Sequence, residues 1–276
     1  MREALVVKLM FGAALLGPGP LAGQAARPAP ATGEWRSLFD GKSLAGWKES
    51  DFFGAGKVTI DRGVITIGSG ALTGINWATS SLPFPTSNYE VRIEAARLKG
   101  TDFFAGITFP VGESFCTWIN GGWGGEVVGL SSIDGADASM NETTLTWKFE
   151  PGRWYSLRLR VTPTTISAWI DDELVIEAGI GKKWIALREG DIDRSIPFGI
   201  ATYSTVAGVR KIEWRPLAPA GAAARERSRG GRDGYRRGAI PENSRHSEFL
   251  STRANPRASR VNMRRAADAG RSQVRP

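Results

Sequence analysis

The side chains with the most chemical potential lie in one stretch. Cys116-Thr117-Trp118-Ile119-Asn120-Gly121-Gly122-Trp123-Gly124-Gly125-Glu126 sets two indoles and a carboxylate among four glycines, and Asp134, Asp137, Asn141 and Glu142 follow within nine positions of one another. Glycines on both sides of Trp123 deny it neighbours to pack on and let backbone approach a ligand closely. An indole face is a platform for the C–H face of a sugar ring, so Trp118, Asn120 and Trp123 are candidate substrate-binding residues. The alternative is that both indoles fill a core; for Trp118, inside an alternating run, core packing is favoured over a site. The acidic loop offers the oxygens that a hard cation such as Ca²⁺ takes, which makes Asp134, Asp137, Asn141 and Glu142 candidate metal ligands. Their spacing is not that of an EF-hand, and an Asx-turn loop with solvated carboxylates is the alternative.

Other chemistries are excluded by residue type. The chain of 276 residues has one histidine, His246, near its C-terminus, so a Ser/His/Asp triad lacks its base. Its one cysteine, Cys116, lies among apolar and aromatic residues with no histidine near it in sequence, the setting of a buried structural thiol. A single cysteine also excludes internal disulfides and a four-thiolate zinc site. Asp171-Asp172-Glu173 falls on a turn rather than along a strand, unlike the paired acids of a glucanase sandwich. No phosphate-cradling glycine motif joins a strand to a helix.

The elements that must position the indoles and acids are strands. From about Glu34 to Leu217 the chain is rich in β-branched and aromatic residues that alternate with period two. Tyr89 to Ala95, Thr144 to Phe149, Tyr155 to Val161 and Ile166 to Ile170 all carry the pattern, and strands are expected at Phe103–Phe109, Phe115–Ile119, Val127–Leu130, Phe198–Tyr203 and Val209–Trp214. Asp61-Arg62-Gly63 and Asp171-Asp172 read as hairpin turns. About a dozen short strands cannot bury their apolar faces in one flat sheet. The expected fold is all-β, an antiparallel β-sandwich of jelly-roll type, with a closed barrel as the alternative.

Both ends differ in composition from this middle. Arg2 and Lys8, the apolar run Leu9–Leu16, a Gly/Pro break and small residues to Ala26 have the layout of a secretory signal peptide, residues 1–26, followed by a linker over 27–33. Export to the periplasm or the medium is therefore expected. Gln24 stands where a lipoprotein would need cysteine, and no apolar run reaches the roughly 20 residues of a membrane span. The net charge of +8 belongs to the tail. Ala218–Pro276 holds 14 arginines, no lysine and five acids, leaving 22 basic against 23 acidic side chains before it. Such a tail is expected to be disordered. It suits contact with polyanions but not sequence-specific nucleic acid, since Tyr235 and Phe249 are its only aromatics.

Ser37-Leu38-Phe39-Asp40-Gly41-Lys42-Ser43-Leu44-Ala45-Gly46-Trp47 resembles the opening signature of the 3-keto-disaccharide hydrolase family, and Phe104-Ala105-Gly106-Ile107, Gly152-Arg153-Trp154 and Gly199-Ile200 through Val209-Arg210-Lys211-Ile212 agree with it in order and spacing. The resemblance spans about residues 35 to 217. It implies a concanavalin-like jelly roll acting on 3-keto-glycosides: a base takes the C2 proton, the glycosidic oxygen leaves C1, and water adds to the double bond. On that reading Glu126 keeps the family's middle carboxylate and is the expected base, with Asp134 or Asp137 as metal ligand or second acid. Arg210 is the expected partner of the developing oxyanion, a solvated strand arginine being the alternative. The reaction requires no cofactor, and a divalent cation, Ca²⁺ or Mn²⁺, is the one the acidic loop would take. The sequence also departs from the family. Phe109-Pro110 stands where an arginine is common, and Tyr203-Ser204-Thr205 where a Gln-x-His element is common. A non-catalytic glycan-binding module and a purely structural sandwich therefore remain open beside the enzyme.

Overall fold

The structure, a computed structural model, describes residues 33–218; the expected signal peptide, most of the linker and nearly all of the arginine-rich tail lie outside them. Fifteen strands follow one another: β1 (Arg36–Ser37), β2 (Trp47–Glu49), β3 (Val58–Asp61), β4 (Val64–Ile67), β5 (Thr73–Trp77), β6 (Tyr89–Lys99), β7 (Ala105–Val111), β8 (Ser114–Gly122), β9 (Val127–Ser131), β10 (Leu145–Thr146), β11 (Trp154–Val161), β12 (Thr165–Ile170), β13 (Glu173–Gly179), β14 (Gly199–Thr202) and β15 (Val206–Pro216). Among the described residues helix is confined to a 3₁₀ turn, Asp191–Ser195, and no helix is long and apolar enough to cross a membrane.

The strands form two antiparallel sheets. One runs β13-β12-β11-β6-β15-β4-β3, with β1 pairing on β15; the other runs β10-β9-β8-β7-β14-β5-β2. The chain leaves the first sheet after β6, builds β7 to β10 in the second, returns for β11 to β13, and then adds β14 and β15 to the middle of each. This is the jelly-roll β-sandwich that the alternation predicts. Both expected hairpins form. Arg62 and Gly63 turn β3 into β4, and Asp171 and Asp172 turn β12 into β13, all four with positive φ as a two-residue hairpin turn of matching twist demands.

The inward positions of the two sheets make one core, in which Trp118, Tyr89, Tyr155, Phe104, Phe109 and Phe198 are fully buried. The opening signature is part of that packing. Leu38, Phe39 and Trp47 are buried, the Trp47 indole N–H donates to the Leu38 carbonyl at 2.7 Å, and Asp40 accepts from the backbone N–H groups of Lys42 and Ser43. Thr144–Phe149 departs from the expected strand. Only Leu145 and Thr146 pair with β9, because the chain then turns inward to bury Phe149 against Phe104 and Tyr155.

The outer face of the β6 sheet is an ionic and aromatic layer. Glu90 is fully buried there among Arg158, Arg160 and Arg215, whose guanidiniums lie against the faces of Trp169 and Trp35. Further along β6, burial alone would raise the carboxyl of Glu94, yet hydrogen bonds from Lys211 and Arg210 hold it below the usual carboxylate range. A folded-state pKa below the unfolded one contributes stability above the ordinary glutamate range and loses it as pH falls through the lower value. The stability difference between the wild type and Glu94→Gln should therefore be constant from neutral pH down to about pH 5 and shrink below about pH 4, measured by urea denaturation across that range.

Candidate functional site

The outer face of the second sheet differs from this layer: its strand positions are small and loops wall it. Phe103 lies over Gly106, where a Cβ would come within 3.0 Å of its ring. The loop after β9 packs on Gly129, where a Cβ would meet the Ala138 carbonyl at 2.5 Å, and the 3₁₀ turn packs on Gly199 in the same way against Ser195. Between these walls lies a cleft of about 600 Å³, open solvent included. Thr117, Ile119 and Ser131 form its floor, with Trp123, Phe103 and Tyr203 on one side and Arg188 to Ile192 on the other. The Phe103 and Tyr203 rings stack at 6.0 Å between centroids. Trp123 is 43% exposed, and the Arg188 guanidinium stands 5.9 Å from its ring centroid.

Trp123 is held out from the sheet by what lies under its loop. Arg97, at the end of β6, is buried and donates through Nη2 to the carbonyls of Gly125 (2.6 Å) and Gly121 (3.4 Å). The rings of Phe104 and Phe149 lie 5.4 and 5.8 Å from its guanidinium carbon, its Nε has no partner, and burial holds its pKa below the usual arginine value. Asp102 orders the other side, accepting from the N–H groups of Phe103 and Gly124. Gly121, Trp123, Gly124 and Gly125 all have positive φ. Gly121 and Gly125 thus serve the turn over Arg97, while Gly124 faces open space.

The structure separates most of the residues singled out in the sequence. Of the three candidate sugar contacts only Trp123 lines the cleft. Trp118 and Asn120 are fully buried, the Asn120 amide donating to the Ala105 carbonyl, because alternation along β8 turns Cys116, Trp118 and Asn120 inward and Thr117 and Ile119 toward the cleft. Burial, only partly offset by hydrogen bonds with the Ser131 and Thr117 backbone, pushes the Cys116 thiol up to about 12, against a nucleophilic role. Glu126 is exposed at the end of the Trp123 loop but is not among the residues lining the cleft. Arg210 is on the opposite sheet, paired with Glu94 and 4.1 Å from the Trp154 ring centroid, so it cannot serve an oxyanion beside Trp123.

The acidic loop is a brace. The Asn141 amide donates to the carbonyls of Leu130, Ala136 and Asp137, Asp137 accepts from Ser139, and Glu142 pairs with Lys183, whose hydrogen bond holds the Glu142 carboxyl below its usual range. Asp134 accepts from the Trp184 N–H at 2.7 Å. Asp134 and Glu142 share the Lys183 ammonium, the Asp137 and Asn141 oxygens are turned to neighbouring Ser139 and Thr143, and among the described residues no three acidic, histidine or cysteine side chains converge to hold a metal ion. The expectation of a cation site on Asp134, Asp137, Asn141 and Glu142 is corrected accordingly.

Phe103, Tyr203 and Arg188 were not among the expected contacts. Parity would have found Tyr203, because Ile200 and Thr202 face inward; Phe103 shares the parity of the core-facing Ala105, Ile107 and Phe109, and it faces out because the chain bends at Phe104 before β7 begins. Arg188 lies in irregular chain, where period-two reasoning has no purchase.

The model of the 3-keto-alpha-glucoside-1,2-lyase-like domain matches residues 34–215. The chain belongs to this family. No curated protein matches it. Similar solved structures include the carbohydrate binding module CBM66 from Bacillus subtilis, at 14% identity and TM-score 0.42, covering 62% of this chain and 95% of that one. A putative glycosyl hydrolase from Parabacteroides distasonis is similar at 15% and 0.41, covering 67% and 94%, and a Crh5 transglycosylase in complex with NAG at 11% and 0.47, covering 69% and 86%. For this member of the lyase-like family, the support under Trp123 is open to direct measurement. Gly63 and Gly121 share a φ of 79°, but a Cβ at Gly63 meets nothing within 4 Å while one at Gly121 meets Arg97 Nη2 at 2.2 Å. Gly63→Ala should cost only backbone strain, about 1 kcal/mol. Gly121→Ala should cost about 1–3 kcal/mol more in urea denaturation, because it displaces a buried guanidinium from its acceptors.

Proposed function

We propose that this exported, carbohydrate-active member of the lyase-like family binds a 3-keto-glycoside in the Trp123 cleft and cleaves it by elimination. The observation that carries the reading is the convergence, on one open cleft of the sheet, of an exposed indole, a stacked Phe103–Tyr203 pair, a guanidinium and two carboxylates. Aromatic faces suit the apolar faces of a sugar ring, and the charged groups suit the reaction.

A ketone at C3 acidifies the C2 proton. Glu189 is the base in this proposal: it lines the cleft, and among the described residues it has no ion-pair partner, whereas Asp191 is drawn to Arg194 and Asp102 is committed to backbone N–H groups. As the carboxylate takes the proton, the electron pair passes through C2–C3 to the keto oxygen, where Arg188 offers its N–H donors. Its return forms the C1–C2 double bond and expels the glycosidic oxygen, which takes up a proton. Water then adds its hydroxyl to C1 and a proton to C2, giving the free 3-keto-sugar. A second reading, glycan binding without turnover, is favoured by one observation: Glu189 and Asp191 are both solvent-exposed.

Purified protein incubated with methyl 3-keto-α-glucoside or 3-keto-trehalose should release the leaving alcohol or sugar. Glu189→Gln should lower kcat by about 10²–10⁴-fold with KM little changed, the range for loss of a general base. Trp123→Ala should mainly raise KM. Calorimetric binding of these compounds with no release by the wild type would establish the binding module instead.

A further inference from the structure

A second indole stands beyond the cleft. Trp184 is 67% exposed, yet its backbone N–H and carbonyl are both hydrogen-bonded to Asp134. Its N–H donates to Asp134 Oδ1 at 2.7 Å and its carbonyl accepts from the Asp134 N–H at 2.8 Å. Ile133 bridges to Ile185 on one side, the Ser114 hydroxyl donates to the Ile185 carbonyl at 2.6 Å, and Lys183 on the other side pairs with Glu142 and reaches Asp134 at 3.8 Å. A large apolar side chain left in water gains nothing for folding, and the brace that the acidic loop supplies fixes where its indole stands.

Beside Trp184 runs a second depression of about 1290 Å³, open solvent included, lined by Trp184, Met140 and Asp137 and also by Arg188 and Glu189. The last two residues line the Trp123 cleft as well, so the two depressions share a border. Arg188 marks it, with its guanidinium carbon 5.9 Å from the Trp123 ring centroid and its Nε 3.8 Å from Asp137 Oδ2.

We propose that the two depressions are one groove and that its occupant is an oligosaccharide chain, longer than a disaccharide, whose terminal unit sits at Trp123 and whose later units cross Arg188 to stack on Trp184. This rests on the sugar-cleft reading and adds the length of the substrate to it. The polar border suits hydroxyl groups along a glycan chain, and an indole at each end provides a stacking face for units separated along it.

The test measures binding by calorimetry, with Glu189→Gln added to the wild type and to each variant so that no ligand is turned over, to methyl 3-keto-α-glucoside and to malto- and cello-oligosaccharides of two to six units oxidised at C3 of the terminal ring. Wild-type affinity should rise beyond two units for one linkage. Trp184→Ala should weaken binding of the four- to six-unit ligands by about tenfold while changing the methyl glycoside by less than about twofold, as loss of one stacking contact implies. Its thermal midpoint should stay at the wild-type value, since the brace uses the Trp184 backbone. Equal affinity at all lengths, or a Trp184→Ala loss independent of length, would overturn the extended groove. If Trp123→Ala weakens every ligand while Trp184→Ala weakens none, the single cleft stands and only the extension fails. If the wild type binds none of them, the sugar-cleft reading fails and the extension with it.

Discussion

A guanidinium buried where, among the described residues, no carboxylate comes within ion-pair distance governs the arrangement around Trp123. Taking Arg97 out of water is costly, and the compensation comes from two backbone carbonyls and two aromatic faces rather than from a charge partner. Those carbonyls belong to Gly121 and Gly125, so the loop between them must arch over the guanidinium with left-handed backbone. An arched loop cannot send its central side chain back into a core that Phe104 and Phe149 already fill. The exposure of Trp123 follows from how Arg97 is satisfied.

The acidic loop shows the same logic with the opposite sign of expectation. Clustered carboxylate and amide oxygens attract a cation only while they are free to turn toward a common point. Here the backbone groups of an irregular loop have first claim on them: Asn141 caps three carbonyls, and Asp134 and Glu142 hold the segment around Trp184. What reads in sequence as ligand spacing is the hydrogen bonding that lets a long loop lie on Gly129 without unpaired backbone. The oxygens are spent on positioning an indole.

The sheets themselves were legible because side-chain alternation and paired positive-φ turn residues are local properties. Arg62-Gly63 and Asp171-Asp172 form the hairpins that their types announce, and Tyr89–Ala95 and Tyr155–Val161 pair as their alternation requires. The short pairings β1 and β2 were not, since two or three residues carry too little period to see, and at β10 the alternation of Thr144–Phe149 promised a longer strand than the two residues that pair. The site was legible only in part. Trp123 announced itself by its glycines, two of which, Gly121 and Gly125, also carry the arch over Arg97. Trp118 and Asn120 needed the parity of β8 anchored to the core, and Thr117 and Ile119 were the residues that this parity turned toward the cleft.

Parity also explains why, among the described residues, the depressions on the opposite sheet are lined by charged side chains rather than walled by aromatic faces. Its outward positions on β6, β11 and β15 are long charged side chains that satisfy one another, Glu90 with three arginines and Glu94 with Arg210 and Lys211, under a cover of Trp35, Trp154 and Trp169. Guanidiniums stacked on indoles in this way leave neither group a free face for a ligand. On the β8 sheet, outward residues such as Gly106, Thr117, Gly129, Ser131 and Gly199 are small and uncharged, the Thr117 hydroxyl bonding only its neighbour Thr108, and loops settle on the glycines among them. The space those loops leave is lined by aromatic faces with no guanidinium pressed flat on them: Arg188 stands 5.9 Å from Trp123, against 3.8 Å for Arg158 over Trp169. One sandwich thus has a closed face and a receptive one because outward side-chain size differs between its sheets, and the receptive face is where an aromatic platform can meet a sugar.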